Sequence, residues 1–389
     1  MDANTLRTLL LVKAIEEHDE AGVLLPPADR EAATRAALRQ FPRPASAPSG
    51  REIRIDHAER VVASRARELY ERLAARHPVV ERTVLLEGMV GRSSLLVLVG
   101  AFALGLLLSL VDSHVRIEIV AFPLLGVIAW NLLVYLLLLV RSVASVRARH
   151  KPSAARTGWI MGSARWGWRR ALKLIKSADF FDRSLAAALR DFSNDWWRAA
   201  QPLLVLHAER LFHFAAAALA CGLVGGFYVR GIGLEYRAGW ESTFLGPVQV
   251  REIVRLLYGP ASLLTGIRLP SGLAEIEALH WRGGAGGAGA AAWIHLMAAT
   301  ALIYVIVPRL LLGSIASIGA WLSGRSIDLP DTVVPYVRRV LAATDAALPA
   351  ANIQVTPYAY VPDGASLRGA ESLLHAVFGP DARILTPRS

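Results

Sequence analysis

Three polar side chains sit where the chain is otherwise apolar: Asn131, His213 and His295. An imidazole in such a setting could relay a proton or hold a metal ion, and an amide could orient either, because polar groups surrounded by hydrocarbon are costly. A two-histidine metal site fails on spacing. His213 opens one apolar stretch and His295 opens the next, which runs the opposite way. At about 1.5 Å per helical residue the two stand roughly 15 to 20 Å apart along the helix direction. Each is read as an interfacial or interhelical hydrogen-bonding group, and Asn131, beside Trp130, as the better candidate for a specific contact.

Other constellations are weaker. Glu235 and Glu241 could serve as acid and base, but nothing converges on them, and they read as solvated loop charges beside the aromatic anchors Tyr236 and Trp240. Gly284 to Gly289 formally matches G-x-G-x-x-G without a strand before it or a soluble helix after it, so a flexible lead-in to the next helix is expected. No G-x-x-x-x-G-K-[ST] occurs, and a single Cys221 excludes an intrachain disulfide or a multi-cysteine metal centre. Neither an enzyme nor a cofactor or metal site is expected.

The elements that must position these residues are four uncharged apolar stretches, Leu95 to Val111, Ile119 to Val140, Leu211 to Val229 and Ala290 to Val307, of 17, 22, 19 and 18 residues. Each approaches or exceeds what crosses a bilayer as a helix. A mean hydropathy of +0.38 with 19% charged residues fits alternating lipid-embedded and aqueous parts. The expected fold is a mainly α, polytopic membrane protein. Residues 1–92 would form a cytoplasmic helical region, 93–140 a transmembrane hairpin, 141–210 a cytoplasmic loop, 211–229 a third span, 230–289 a periplasmic segment and 290–307 a fourth span. Residues 308–389 would be cytoplasmic.

Orientation follows from charge. Residues 141–210 hold 14 basic against 5 acidic residues, most of the net +11, which places that loop and both termini inside. Ala101, Gly105 and Ser109 on the first span, and Ala218, Gly222 and Gly226 on the third, form small-residue stripes that would let helix backbones approach closely. In the basic loop, Trp159, Trp166 and Trp168 alternate with Arg165, Arg169, Arg170, Lys173 and Lys176, a pairing suited to lipid headgroups. Nucleic acid would use the same residue types, but the loop is tethered to the bilayer, and no nucleic-acid partner is expected.

Away from the spans, the chain reads as helices ending near Gly22, from Pro27 to Arg39 and from Glu52 to Arg76. The last has Ile55, Val62, Leu69 and Leu73 on one stripe and is either an arm packing on another helix or a solvated helix leaning on its own domain. Leu185, Leu189, Phe192 and Trp196 mark a core-packed helix. Leu310 to Trp321 reads as a separate surface-associated or bundled helix, and Asn352 to Leu385 as a β-α-β unit that either another chain completes or a longer sequence extends.

Four segments together, LLLVKAIEEHD (Leu9 to Asp19) with the following ADREAAT, YRAGWESTFL (Tyr236 to Leu245), YVIVPRLLL around Pro308 and PYAYVPD (Pro357 to Asp363), resemble a family of bacterial inner-membrane proteins of unknown function. Its genes often neighbour one for a GTPase with a helical carboxy-terminal domain. The resemblance implies a multi-pass inner-membrane location and a cytoplasmic GTPase partner, and brings no catalytic residues. The expected function is an integral adaptor or scaffold that presents cytoplasmic surfaces to that partner. The alternative is a subunit of a homo-oligomeric channel or transporter, for which the polar lining of the spans is sparse.

Overall fold

A computed structural model describes residues 1–42, 51–77, 94–109, 116–120, 122–147, 183–281, 286–327, 329–330, 332–342, 352–354, 363–378 and 383–385. The chain is mainly helical and divides into two compact units, one built from residues 1–87, 159–204 and 320–389 and the other from 88–158 and 205–319.

In the first unit, α1 (Ala3–His18) starts where the Asp2 carboxylate accepts hydrogen bonds from the Asn4 and Thr5 amides, both at 3.0 Å. Its run Leu9 to Ile15 is buried on every side, as expected of a helix apolar around its circumference. It packs between α3 (Arg51–Arg76) and α6 (Arg183–Ala199), while α2 (Pro27–Gln40), with proline in its first turn, lies on α3. Val62, Leu69 and Leu73 of α3 enter this core, so the stripe packs against the other helices of its unit. Leu185, Leu189, Phe192 and Trp196 fill it from α6, and Tyr336 and Val337 from α12 (Val334–Ala342). Beside α12 stands a β-α-β unit: β4 (Asn352–Gln354) and β5 (Arg383–Leu385) pair in parallel across α13 (Gly364–Phe378).

The second unit contains α4 (Ser94–Ser109), β1 (Arg116–Glu118), α5 (Phe122–Arg147), most of α7 (Gln201–Gly233), β2 (Arg237–Gly239), α8 (Pro247–Thr265), α9 (Leu273–Ala278) and β3 (Ala288–Gly289). It ends with α10 (Ala291–Ala301), a π-helical turn over Leu302–Ile306 and α11 (Val307–Arg325). Strand β2 is central in a small sheet, parallel to β1 and antiparallel to β3. Its Tyr236 and Trp240 are buried with Tyr258 of α8 and Trp293 of α10.

Among the described residues, two helices are long and apolar enough to cross a membrane: α7 with 33 residues, and α10 through α11 with 35. In the most apolar 18-residue window of each, only 22% is buried inside the protein, far less than in the core helix of a soluble fold. The apolar helices α4 and 128–140 of α5 are shorter.

Three expectations change. The helix carrying the third apolar stretch begins at Gln201, ten residues before Leu211, because Pro202 occupies its first turn without interrupting it. Leu310 to Trp321 is no separate helix but continues Ala291–Arg325. The described end of the glycine stretch, residues 286–289, is no loose lead-in either. Gly287, at φ +72°, and Gly239 leave the space that the Trp281 ring occupies, and Ala288 and Gly289 pair with β2.

Candidate functional site

A proline builds the site in the second unit. Pro308 has no N–H to give the Tyr304 carbonyl four residues earlier, and its ring crowds that carbonyl. The helix answers with the π turn, in which the Val307 amide reaches back to the Leu302 carbonyl. The Tyr304 carbonyl accepts instead from the Tyr135 hydroxyl of α5, at 3.1 Å. One extra residue in a turn rotates everything after it by about 100°, and Arg309 then faces Asn131 on α5 and His213 on α7.

The guanidinium is held by neutral acceptors. Its Nε and Nη2 donate to Oδ1 of buried Asn131 at 3.0 and 2.8 Å, and its Nη1 donates to His213 Nδ1 at 3.2 Å. Because arginine only donates, His213 must be the neutral tautomer with its proton on Nε2. The cation lies 5.5 Å from the centre of the Tyr135 ring, whose hydroxyl is also 3.3 Å from Asn131 Oδ1. Asn131 and His213 thus meet through Arg309, just past the fourth apolar stretch. The available signal was the Pro308–Arg309 pair inside an unbroken apolar run.

His295 stands elsewhere. Its Nδ1 is 2.8 Å from the Tyr228 hydroxyl, and Tyr228 follows His213 on α7 by 15 residues, about 22 Å of helix. Among the described residues no three His, Cys, Asp or Glu side chains are grouped as a metal site.

The small residues of α4 and α7 form one helix crossing. A Cβ on Gly105 would overlap the Leu219 carbonyl, one on Gly222 the Phe102 carbonyl, and one on Gly226 the Ser109 hydroxyl. Ala101 and Ala218 are half-buried on the same two helices. Ser109 donates its hydroxyl to the Leu106 carbonyl at 2.6 Å, and its own carbonyl accepts from Arg230 Nη1 at 2.5 Å. Trp159, Arg165, Trp166, Trp168, Arg169, Arg170, Lys173 and Lys176 lie outside the described residues.

The first unit holds an ionic network. Arg65, nearly inaccessible, grips both oxygens of Glu16 at 2.7 and 3.1 Å, while its Nε donates to Thr34 at 2.8 Å. The Tyr336 hydroxyl donates to Glu16 at 2.6 Å. Burial, with the Glu16 charge beside it, pushes that phenol far above its ordinary range, so it remains a neutral donor. Burial alone would lower the Lys13 ammonium, but its hydrogen bonds to Glu17 and Asp195, both 3.0 Å, outweigh this and raise it. Asp19 accepts from the Val23, Leu24 and Leu25 amides and closes the α1–α2 turn. Glu235 and Glu241 have no ion pair among the described residues, and the perturbed carboxyl of the sheet is Glu118, which Glu241 repels. Burial drives it up against the opposing hydrogen bond from Trp281 Nε1 at 2.6 Å.

No family model, curated protein or solved structure matches the chain.

Proposed function

We propose that the protein is an integral membrane scaffold with four spans, whose first unit is held at the bilayer to receive a partner protein. One observation carries this: large apolar side chains stand exposed along four helices of one compact unit. They include Leu96 at 73% on α4, Trp130 at 64% on α5, Phe212 on α7 and Leu311 at 60% on α11, with many leucines beside them. Contiguous apolar surface on that scale is unstable against water and at home in lipid. Two features support treating the shorter helices as spans. The α4 backbone is seated against α7 at Gly105 and Gly222, and α5 is pinned to α7 and α11 by Arg309.

The charge bias of residues 141–210 sets the orientation, with that loop and both termini in the cytoplasm and the β1–β2–β3 sheet outside. The first unit, with its own core and buried ion pairs, is built for water, and a cytoplasmic GTPase is the first partner to test. After Cys221→Ser, a single cysteine at Ser242→Cys should react with an impermeant maleimide on intact spheroplasts, and one at Ser153→Cys only after lysis. Equal labelling of both would end the four-span reading. Copurification of a GTPase from detergent in one nucleotide state supports the scaffold role, and its absence in every state counts against it.

A further inference from the structure

We propose that Arg309 is the anchoring charge of a phosphate-binding site on the lipid-facing side of the α5–α7–α11 cluster. The inference rests on the membrane reading above. Arginine is charged at any accessible pH, and a cation inside a bilayer is ordinarily paired with an anion or carried to the surface. Arg309 is paired with no anion. Its partners, Asn131, His213 and the Tyr135 ring, are all uncharged, and among the described residues no carboxylate lies within 4 Å of it.

Its bonds to Asn131 and His213 occupy three of its five N–H groups, one each on Nε, Nη1 and Nη2, and the guanidinium also meets the Tyr135 hydroxyl. At least one N–H on a terminal nitrogen therefore remains to donate to a phosphate oxygen. Asn131 and His213 fix the plane of the guanidinium. Arg309 itself is only half-buried, and its neighbours Val307, Leu310 and Leu311 are exposed, so Arg309 is not sealed from the surface where acyl chains would lie. Arg309 follows Ala291 by 18 residues, roughly 27 Å along the helix, close to the far edge of a hydrocarbon layer of about 30 Å. The phosphates of that leaflet are therefore within reach. A phosphate ester of a lipid headgroup and free phosphate offer the same oxygens, and the test separates them.

The full chain, purified in detergent, is offered equal amounts of phosphatidylglycerol and of a glucosyl diacylglycerol, which lacks phosphate, and retained lipid is read by native mass spectrometry. Radiolabelled inorganic phosphate is offered in parallel by equilibrium dialysis. Wild type should retain phosphatidylglycerol over the glycolipid by at least about fivefold, or bind inorganic phosphate, and Arg309→Gln should lose that binding. Binding of the lipid alone makes the site a headgroup site, and binding of both makes it a general phosphate site.

Asn131→Asp guards against a folding artefact. It keeps the oxygen that Arg309 uses, supplies the missing negative charge within the protein, and should abolish phosphate selectivity while leaving the melting temperature unchanged or higher. Equal retention of both lipids by wild type with no phosphate bound overturns the proposal, as does undiminished selectivity in Asn131→Asp. If cysteine labelling still reports four spans, only this site fails. If labelling fails as well, the membrane reading falls with it.

Discussion

Gly222 and Gly225 are neighbours on α7, yet their surroundings are opposite. A Cβ at 222 meets the Phe102 backbone, and one at 225 meets nothing within 4 Å. Backbone cannot retreat as the tip of a side chain can, so Gly222→Val must push α4 and α7 apart, at a cost of about 1–3 kcal/mol. Gly225→Val should change stability by no more than about 0.5 kcal/mol. Thermal unfolding of the two variants in the same detergent measures the difference, and equal losses would refute the close crossing. Residue type alone could not separate these positions, since glycine reads identically at both and only the neighbouring helix distinguishes them.

At the scale of elements, the kinked run from Ala291 to Arg325 is a bargain between Pro308 and Tyr135. Tyr135→Phe strands the Tyr304 carbonyl, a loss of about 1–3 kcal/mol. Pro308→Ala offers that carbonyl an amide partner within its own helix, so the double variant should lose less than the two single variants summed. Strict additivity in a double-mutant cycle would show that the two residues do not share the carbonyl.

The sheet offers a pH test. Glu118, half-buried and repelled by Glu241, is held above its ordinary value of 4.5, so the folded state binds its proton more tightly than the unfolded chain does. Its contribution is fully present below 4.5 and is lost as pH rises through the raised value. Glu118→Gln keeps an oxygen for Trp281 without the charge. It should melt higher than wild type near neutral pH and like wild type near pH 4. A wild-type advantage near neutral pH would argue against the burial penalty.

For the whole molecule, one unit exposes apolar surface and the other encloses an ionic network, the contrast on which the membrane proposal rests. Washing membranes at about pH 11 strips peripheral proteins but leaves chains buried in hydrocarbon, so the protein should stay in the pellet and leave it only with detergent. Release by alkali alone would contradict the integral reading.

Much of this contrast was legible in the sequence. Hydropathy and helical periodicity are sums over neighbouring residues, so the apolar stretches, the three amino-terminal helices and the core stripe of α6 could be located without tertiary knowledge. Asn131 stood out because one polar residue in an apolar run is visible locally. Its partner was not. Asn131 and Arg309 are 178 residues apart, and they meet only because a π turn rotates the helix after Pro308. The glycines packed around Trp281 were hidden for a related reason, since positive φ and contact with a distant indole are properties of the folded backbone. Sequence determined how apolar each segment is, because transfer from water is nearly additive along the chain. Tertiary structure decided which polar groups satisfy one another, because a hydrogen bond requires two groups at one point in space.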